Sequence, residues 1–278
     1  MIAFAPLAHP VMRPASLREA FRRDPLFAGA AAILALSMVP TLLAWAIDAR
    51  LVGGVPVWSK PLKFEAALAI YLGTLAWFTR WLPPGFVARR GYRVFARAVI
   101  VAVAFEIAWI VGAAAAGVPS HFNVGTPAMA AIYSAMGVFA VLLTSAAAVQ
   151  GVAILRARDA GGDPALRLAI GLGLVLTFVL TVPVAGYLSG AAGHLVGVEA
   201  AGARRLAVFG WARDGGDLRV AHFLATHALP LAGWIAGRML APAPARAAIL
   251  AAAAGYAALV GGTFLQALAG RPFLPWLG

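Results

Sequence analysis

The sequence predicts an all-α, polytopic integral membrane protein of seven transmembrane helices, with its N-terminus cytoplasmic and its C-terminus outside. Three observations carry this. Hydrophobic residues make up 63% of the 278 residues and charged residues only 12%, about half the charged share of an ordinary soluble chain. Apolar runs of about 20 residues, the length that crosses a bilayer, recur along the whole chain. The 22 Lys and Arg fall in short clusters between those runs, as in a protein oriented by the positive-inside rule.

Residues 1–25 read as a leader at the cytoplasmic face and 26–278 as a single transmembrane domain. The leader has no apolar core of signal-peptide length, and Arg13, Arg18, Arg22 and Arg23 precede the first span. Ser16 and Glu19 have capping-box spacing, so a short surface helix with Leu17 and Phe21 on one side is one expectation and a solvated basic leader the other. The expected spans are 26–46, 61–81, 94–117, 128–155, 168–188, 218–240 and 247–268. Pro40 and Pro183 are expected to kink the first and fifth. Pro61 suits the first position of the second helix. Pro83-Pro84-Gly85 stops that helix, and Asp217 can cap the sixth. Gly186, Gly190, Gly193 and Gly197 include pairs four apart, which let helices approach closely. The segment from Arg204 to Arg213 is amphipathic enough to lie on the membrane surface.

Basic residues fix the expected orientation. Arg13, Arg18, Arg22, Arg23, Arg80, Arg89, Arg90, Arg93, Arg97, Arg156, Arg158, Arg167, Arg238 and Arg246, fourteen in all, lie on one side. Arg50, Lys60, Lys63, Arg204, Arg205, Arg213, Arg219 and Arg271, eight in all, lie on the other. The richer side is cytoplasmic. Scarce Lys and abundant Ala and Gly point to a GC-rich bacterial genome, hence to a bacterial inner membrane.

This orientation gathers polar residues at the outer side. His121, His194, His222 and the segment Lys60–Glu65 fall at or near that boundary, and His227 lies about 15 Å further along the sixth helix at 1.5 Å per residue. On that helix His222 and His227 are about 140° apart. They therefore do not form the i, i+4 pair that chelates one ion from a single helix face, and each needs a partner from elsewhere. Imidazoles suit zinc, copper, iron or haem, so His121, His194, His222 and His227 are candidate ligands of a transition metal or haem. The alternative for each is a hydrogen bond to a loop or headgroup.

Glu106 is the candidate catalytic or proton-carrying residue, because a carboxylate near the bilayer midplane is costly and usually faces a bundle interior or water path. Lys60, Lys63 and Arg219 can cradle an anion, with Glu65 as a neutralising partner for Lys63 or Arg219. Tyr187, seven residues before His194 on one continued helix face, can donate to a ligand or belong to the aromatic belt.

The exclusions are firmer. With no cysteine, disulfides, thiolate metal sites, iron–sulfur clusters and cysteine nucleophiles are ruled out. The last span has no lysine for a retinal Schiff base, and no phosphate-binding loop, HExxH or GxSxG motif occurs. The basic residues form no arm or face for nucleic acid. Three readings remain: a metal- or haem-dependent redox protein, a proton-coupled transporter or receptor for a small anionic ligand, and a structural or assembly subunit that serves a protein partner.

Overall fold

A computed structural model describes residues 17–157, 163–191, 193–197, 205–206, 209–227 and 242–274. The helices are α1 (Leu17–Arg23), α2 (Pro25–Ile47), α3 (Ser59–Phe78), α4 (Arg90–Ala116), α5 (Pro127–Arg156), α6 (Pro164–Gly190), α7 (Leu218–Thr226) and α8 (Pro242–Leu268). Two short antiparallel pairs join them: β1 (Leu51–Val52) with β2 (Val55–Pro56), and β3 (Leu195–Val196) with β4 (Gly216–Asp217).

Five of these helices are long and apolar enough to cross a membrane: α2, α4, α5, α6 and α8. The protein is therefore an all-α, multi-pass membrane protein. The 20-residue α3 stands where the second span is expected, but Lys60, Lys63 and Glu65 charge its first two turns. The expected sixth span, 218–240, is described only as α7 and its cap; residues 228–241 lie outside the described residues, as do residues 1–16 of the leader.

Local chemistry explains the boundaries. Asp24 caps α2 by accepting from the Phe27 N–H at 3.1 Å, and Pro25 takes the first helical position. Thr126 with Pro127, and Asp163 with Pro164, open α5 and α6 in the same way. Gly117, at φ 68°, closes α4 in the left-handed conformation. The helix start expected at Pro61 lies two residues earlier, at Ser59, which leaves Pro61 within the first turn, where no N–H is required. The leader forms α1, whose Leu17 and Phe21 are exposed and whose Arg23 pairs with Glu19 at 2.8 Å.

Packing forms two apolar clusters. Phe27, Leu72, Leu75, Ala96, Val99, Ala147 and Ile154 are among the residues that join α2, α3, α4 and α5. Val184, Ala221, Ala225 and Val260 join α6, α7 and α8. The two meet where α5 crosses α6. A Cβ added at Gly151 would stand 2.8 Å from the Gly171 carbonyl oxygen, and one at Gly171 would stand 2.6 Å from the Leu155 side chain. In the glycine row expected to let helices approach closely, Gly186, Gly190 and Gly193 have open space at each Cβ position, and Gly197 meets the Gly270 Cα at 3.9 Å. The close approach of α5 and α6 is instead set by Gly151 and Gly171, since contact in lipid depends on packing and not on spacing alone. Nor do the described parts of the Arg204–Arg213 segment form a surface helix: Arg205 and Ala212 pair as an antiparallel bridge.

Buried polar groups tie the first cluster together. The Tyr92 hydroxyl donates to Asp24 Oδ2 at 2.9 Å and accepts from Gln150 Nε2 at 2.8 Å, linking α2, α4 and α5. The Tyr71 hydroxyl donates to the Leu143 carbonyl at 2.9 Å and accepts from the Ala147 N–H at 3.2 Å, so it inserts into one turn of α5. Substituting Gly151 or Gly171 with Leu should force α5 and α6 apart and cost roughly 1–3 kcal/mol, as overpacking does. A thermal-denaturation series in detergent measures this; Gly186→Leu, at an open position, should shift the midpoint far less.

Candidate functional site

Two ends of the bundle differ in chemistry. One end carries the N-termini of α2, α4 and α6 and is rich in arginine. The other carries the start of α3 and α7, the end of α4 and the described histidines; the candidate site lies there.

The first turn of α3 is positioned by the β1–β2 hairpin. Gly53 and Gly54, at φ 58° and 76°, make a turn that needs positive φ at both positions. Asp48 then holds the hairpin base: it accepts from Arg50 Nη2 at 2.7 Å and from the Trp58 indole at 2.8 Å. These donors keep its carboxyl well below the usual carboxylate range, Arg50 most of all. Arg50 also donates to the Ala115 carbonyl at 3.0 Å, which fixes the end of α4 beside the start of α3.

The loop after α4 supplies the next component. Trp109, one turn beyond Glu106, donates its indole N–H to the Ser120 carbonyl at 2.8 Å and folds the loop back over the helix end. Phe122 stands at φ 56°, left-handed for a residue with a Cβ. Such a conformation costs on the order of 1–3 kcal/mol and persists where surrounding contacts enforce it. The enforcing contact is the Tyr133 ring, 5.7 Å from that of Phe122. His121, between Ser120 and Phe122, is thereby turned inward. Its ring lies 5.8 Å from Phe64 and 6.0 Å from Tyr133.

The Lys60 ammonium lies 3.0 Å from His121 Nδ1. An ammonium can only donate, so Nδ1 accepts and the ring proton is on Nε2. Burial, reinforced by the Lys60 charge, lowers the His121 pKa to about 3; the Ser120 backbone opposes the shift and His222 adds to it. His121 is therefore neutral across the physiological range, and His222 lies within its electrostatic reach. Glu106, 4% exposed, interacts electrostatically with Lys60. Its Oε1 has no hydrogen-bond partner among the described residues. Lys60 of α3 and His121 of the α4–α5 loop thus meet directly, with Glu106 of α4 and His222 of α7 within electrostatic reach of the pair.

The other candidates lie apart. Arg219 is clamped to Asp217, with Nη2 2.6 Å from Oδ2 and Nε 2.9 Å from Oδ1, and it donates to the Gly210 carbonyl at 2.7 Å. Asp217 does cap α7, through the Arg219 N–H at 3.0 Å, and also accepts from the Ala212 N–H at 3.0 Å. Glu65 is 1% exposed, and its Oε1 accepts from Thr41 Oγ1 of α2 at 3.0 Å; Arg219, its other expected partner, is taken by Asp217. Lys63 is exposed.

His227 closes α7, its Nδ1 donating to the Phe223 carbonyl at 2.6 Å and its ring stacked on Phe223 at 4.1 Å. The expected shared face of Tyr187 and His194 does not form, because α6 ends at Gly190. Tyr187 is exposed and packs edge-on against Phe264 at 5.4 Å. His194 enters β3, and its carbonyl accepts from the Leu218 N–H at 2.9 Å. Among the described residues no group of three or more His, Asp or Glu is placed to hold a metal ion. Among the described residues His222 Nδ1 is buried with no hydrogen-bond partner.

Sequence reasoning proposed His121 and Lys60 for different roles and did not pair them; only the folding of hairpin and loop brings them together. It passed over Ser120, Phe64 and Tyr133. The run Ser120-His121-Phe122-Asn123 next to a span end was the available signal.

Because the His121 pKa is depressed on folding, the unfolded chain binds the extra proton between the ordinary value of 6.5 and about 3. Stability should therefore be complete above that window and fall as pH drops through it. Thermal midpoints recorded from pH 7 to pH 4 should decline, and the slope should flatten in His121→Asn. In a separate test, Asp217→Ala should lower stability by roughly 2–4 kcal/mol, since it removes a cap and leaves Arg219 without its carboxylate; Asp217→Asn, which retains the cap, should lose less.

No protein-family model matches the chain, and no curated protein or solved structure resembles it significantly.

Proposed function

We propose that this is a seven-span protein of a bacterial inner membrane, N-terminus in the cytoplasm, which binds a small anionic ligand at Lys60 from the outer side and couples that binding to a proton on Glu106. The observation that carries the reading is the Lys60 ammonium, 3.0 Å from a His121 nitrogen and within electrostatic reach of the buried Glu106.

Each residue has a role that follows from its surroundings. His121, neutral and fixed by the Ser120 loop, directs the ammonium without sharing its charge. The remaining N–H groups of Lys60 can donate to a carboxylate or inorganic anion. Glu106 balances Lys60 when no ligand is present. An arriving anion replaces it as the counter-charge, and Glu106 then takes up a proton, since two negative groups around one ammonium in an apolar site repel each other. Phe64 and Tyr133 wall the site with aromatic surface. Arg219, held by Asp217, lies apart and is not assigned to the ligand.

The test is a thermal-stability screen of detergent-purified protein against chloride, phosphate and short carboxylates, followed by pH-indicator measurements on the hit. Lys60→Gln should weaken binding at least tenfold, about 1.4 kcal/mol. Glu106→Gln should retain binding and abolish proton uptake, and Arg219→Gln should leave affinity near wild type. Failure of every anion to shift the midpoint, or wild-type binding in Lys60→Gln, would sink the reading.

His222 supports a second reading. A buried imidazole nitrogen with no partner among the described residues, within electrostatic reach of His121, suits a two-histidine haem or metal site in a redox protein. His194 and His227 are outside this pair. Absorption spectroscopy with elemental analysis of freshly purified protein decides it: a Soret band or stoichiometric metal lost in His222→Ala favours this reading, and their absence removes it.

A further inference from the structure

The arginine-rich end holds a cleft with a volume of about 410 Å³, lined by α1, the start of α2, the end of α3, the Pro83–Ala88 turn and the start of α4. This is within the size range of small-molecule pockets, and it lies at the opposite end of the bundle from the histidine site. Its composition is two-part. Leu26, Leu82, Phe86 and Val87 supply apolar wall, while Arg23 and Arg93 supply positive charge.

The Arg23 guanidinium uses Nε and Nη2 on a single Glu19 oxygen, at 2.9 and 2.8 Å. Its Nη1 group keeps its donors for another acceptor. Asp24, the acidic residue of the wall, is 0% exposed, and its two oxygens are engaged by the Phe27 N–H and the Tyr92 hydroxyl. Burial also pushes its carboxyl above its ordinary value. It therefore offers little opposition to an anion in the cleft.

The depth of the cleft separates a lipid from a soluble anion. It opens between Pro25 and Arg90, where two membrane-crossing helices begin. Aromatic–arginine pairs occupy the same segments: Arg89 lies 5.3 Å from the ring centroid of Phe86, which lines the cleft, and Arg80 lies 5.5 and 5.1 Å from those of Trp77 and Trp81. Aromatic rings and arginines of this kind occupy headgroup depth. A soluble anion needs only the arginines; a phosphodiester attached to glycerol and acyl chains uses the arginines and the apolar wall together.

We propose that this cleft is a binding site for the headgroup of an anionic phospholipid, its phosphate held between Arg23 and Arg93 and its glycerol region against Leu26, Leu82 and Phe86. The site is independent of whatever the histidine end does.

The experiment adds short-chain phosphatidylglycerol, short-chain phosphatidylcholine or inorganic phosphate to delipidated protein and reads the thermal midpoint and lipid retention by native mass spectrometry. Phosphatidylglycerol should stabilise and be retained. Phosphatidylcholine and phosphate should do so much less. The double variant Arg23→Gln/Arg93→Gln should bind phosphatidylglycerol at least tenfold more weakly, while Arg156→Gln, an exposed arginine at the same end, should bind as wild type does. Ala88→Phe, which fills the cleft from an exposed position without removing charge, should also weaken retention and keeps the test decisive if the double variant does not fold. Equal retention of the two lipids, or wild-type binding in Ala88→Phe, would overturn the proposal. Full stabilisation by inorganic phosphate would overturn the lipid assignment in favour of a soluble-anion site.

Discussion

A hydrocarbon interior has no water to satisfy a polar group, so whatever the chain buries it must pair from its own atoms. That constraint governs the architecture. Backbone groups are paired within long helices, and most charged side chains stand at the helix ends. The few polar side chains inside the bundle find partners on other helices: Glu65 with Thr41, Tyr71 with a turn of α5, Asp24 with Tyr92 and Gln150. Among the described residues Thr181 Oγ1, Glu106 Oε1, His222 Nδ1 and one oxygen each of Glu65 and Gln150 are buried without a hydrogen-bond partner. Glu106 and His222 are within electrostatic reach of the Lys60–His121 pair.

The two ends solve the problem of charge differently. At the arginine end, guanidiniums lie against aromatic rings and face outward. At the histidine end, a single ammonium is drawn inward and set against a neutral imidazole. Lys60 is only partly exposed, whereas Lys63, three residues on, is exposed.

Much of the fold was legible because membrane helices announce themselves by length and by caps. Asp217 marks a helix start and Pro83-Pro84-Gly85 a helix end in sequence alone, whereas the start of α6 at Pro164 precedes the expected 168 because Asp163 caps it. Glu106 was legible for the same reason, as an isolated carboxylate in an apolar run. The contacts between helices were not. The row from Gly186 to Gly193 looks more like a packing motif than Gly151 and Gly171, yet the latter pair makes the close crossing, because spacing says nothing about which face meets a neighbour. The Lys60–His121 pair spans a hairpin, a helix pair and a loop, and no local pattern encodes it. The Arg219–Asp217 clamp is a different case: two residues apart across a helix cap, it was readable as a local ion pair and was passed over in favour of a ligand role.

The Asp24–Tyr92–Gln150 chain has a mechanical consequence. Apolar helices in lipid can rotate about their own axes at little cost, because every orientation offers the same greasy surface to the same solvent. Hydrogen bonds to Tyr92 remove that freedom from α4 by pinning its azimuth against α2 and α5. Fourteen residues separate Tyr92 from Glu106, which is about 21 Å of rise and, modulo whole turns, about 40° of rotation. The α4 helix therefore works as a keyed shaft. The phenol near one end sets the direction in which the carboxylate points about 21 Å further along.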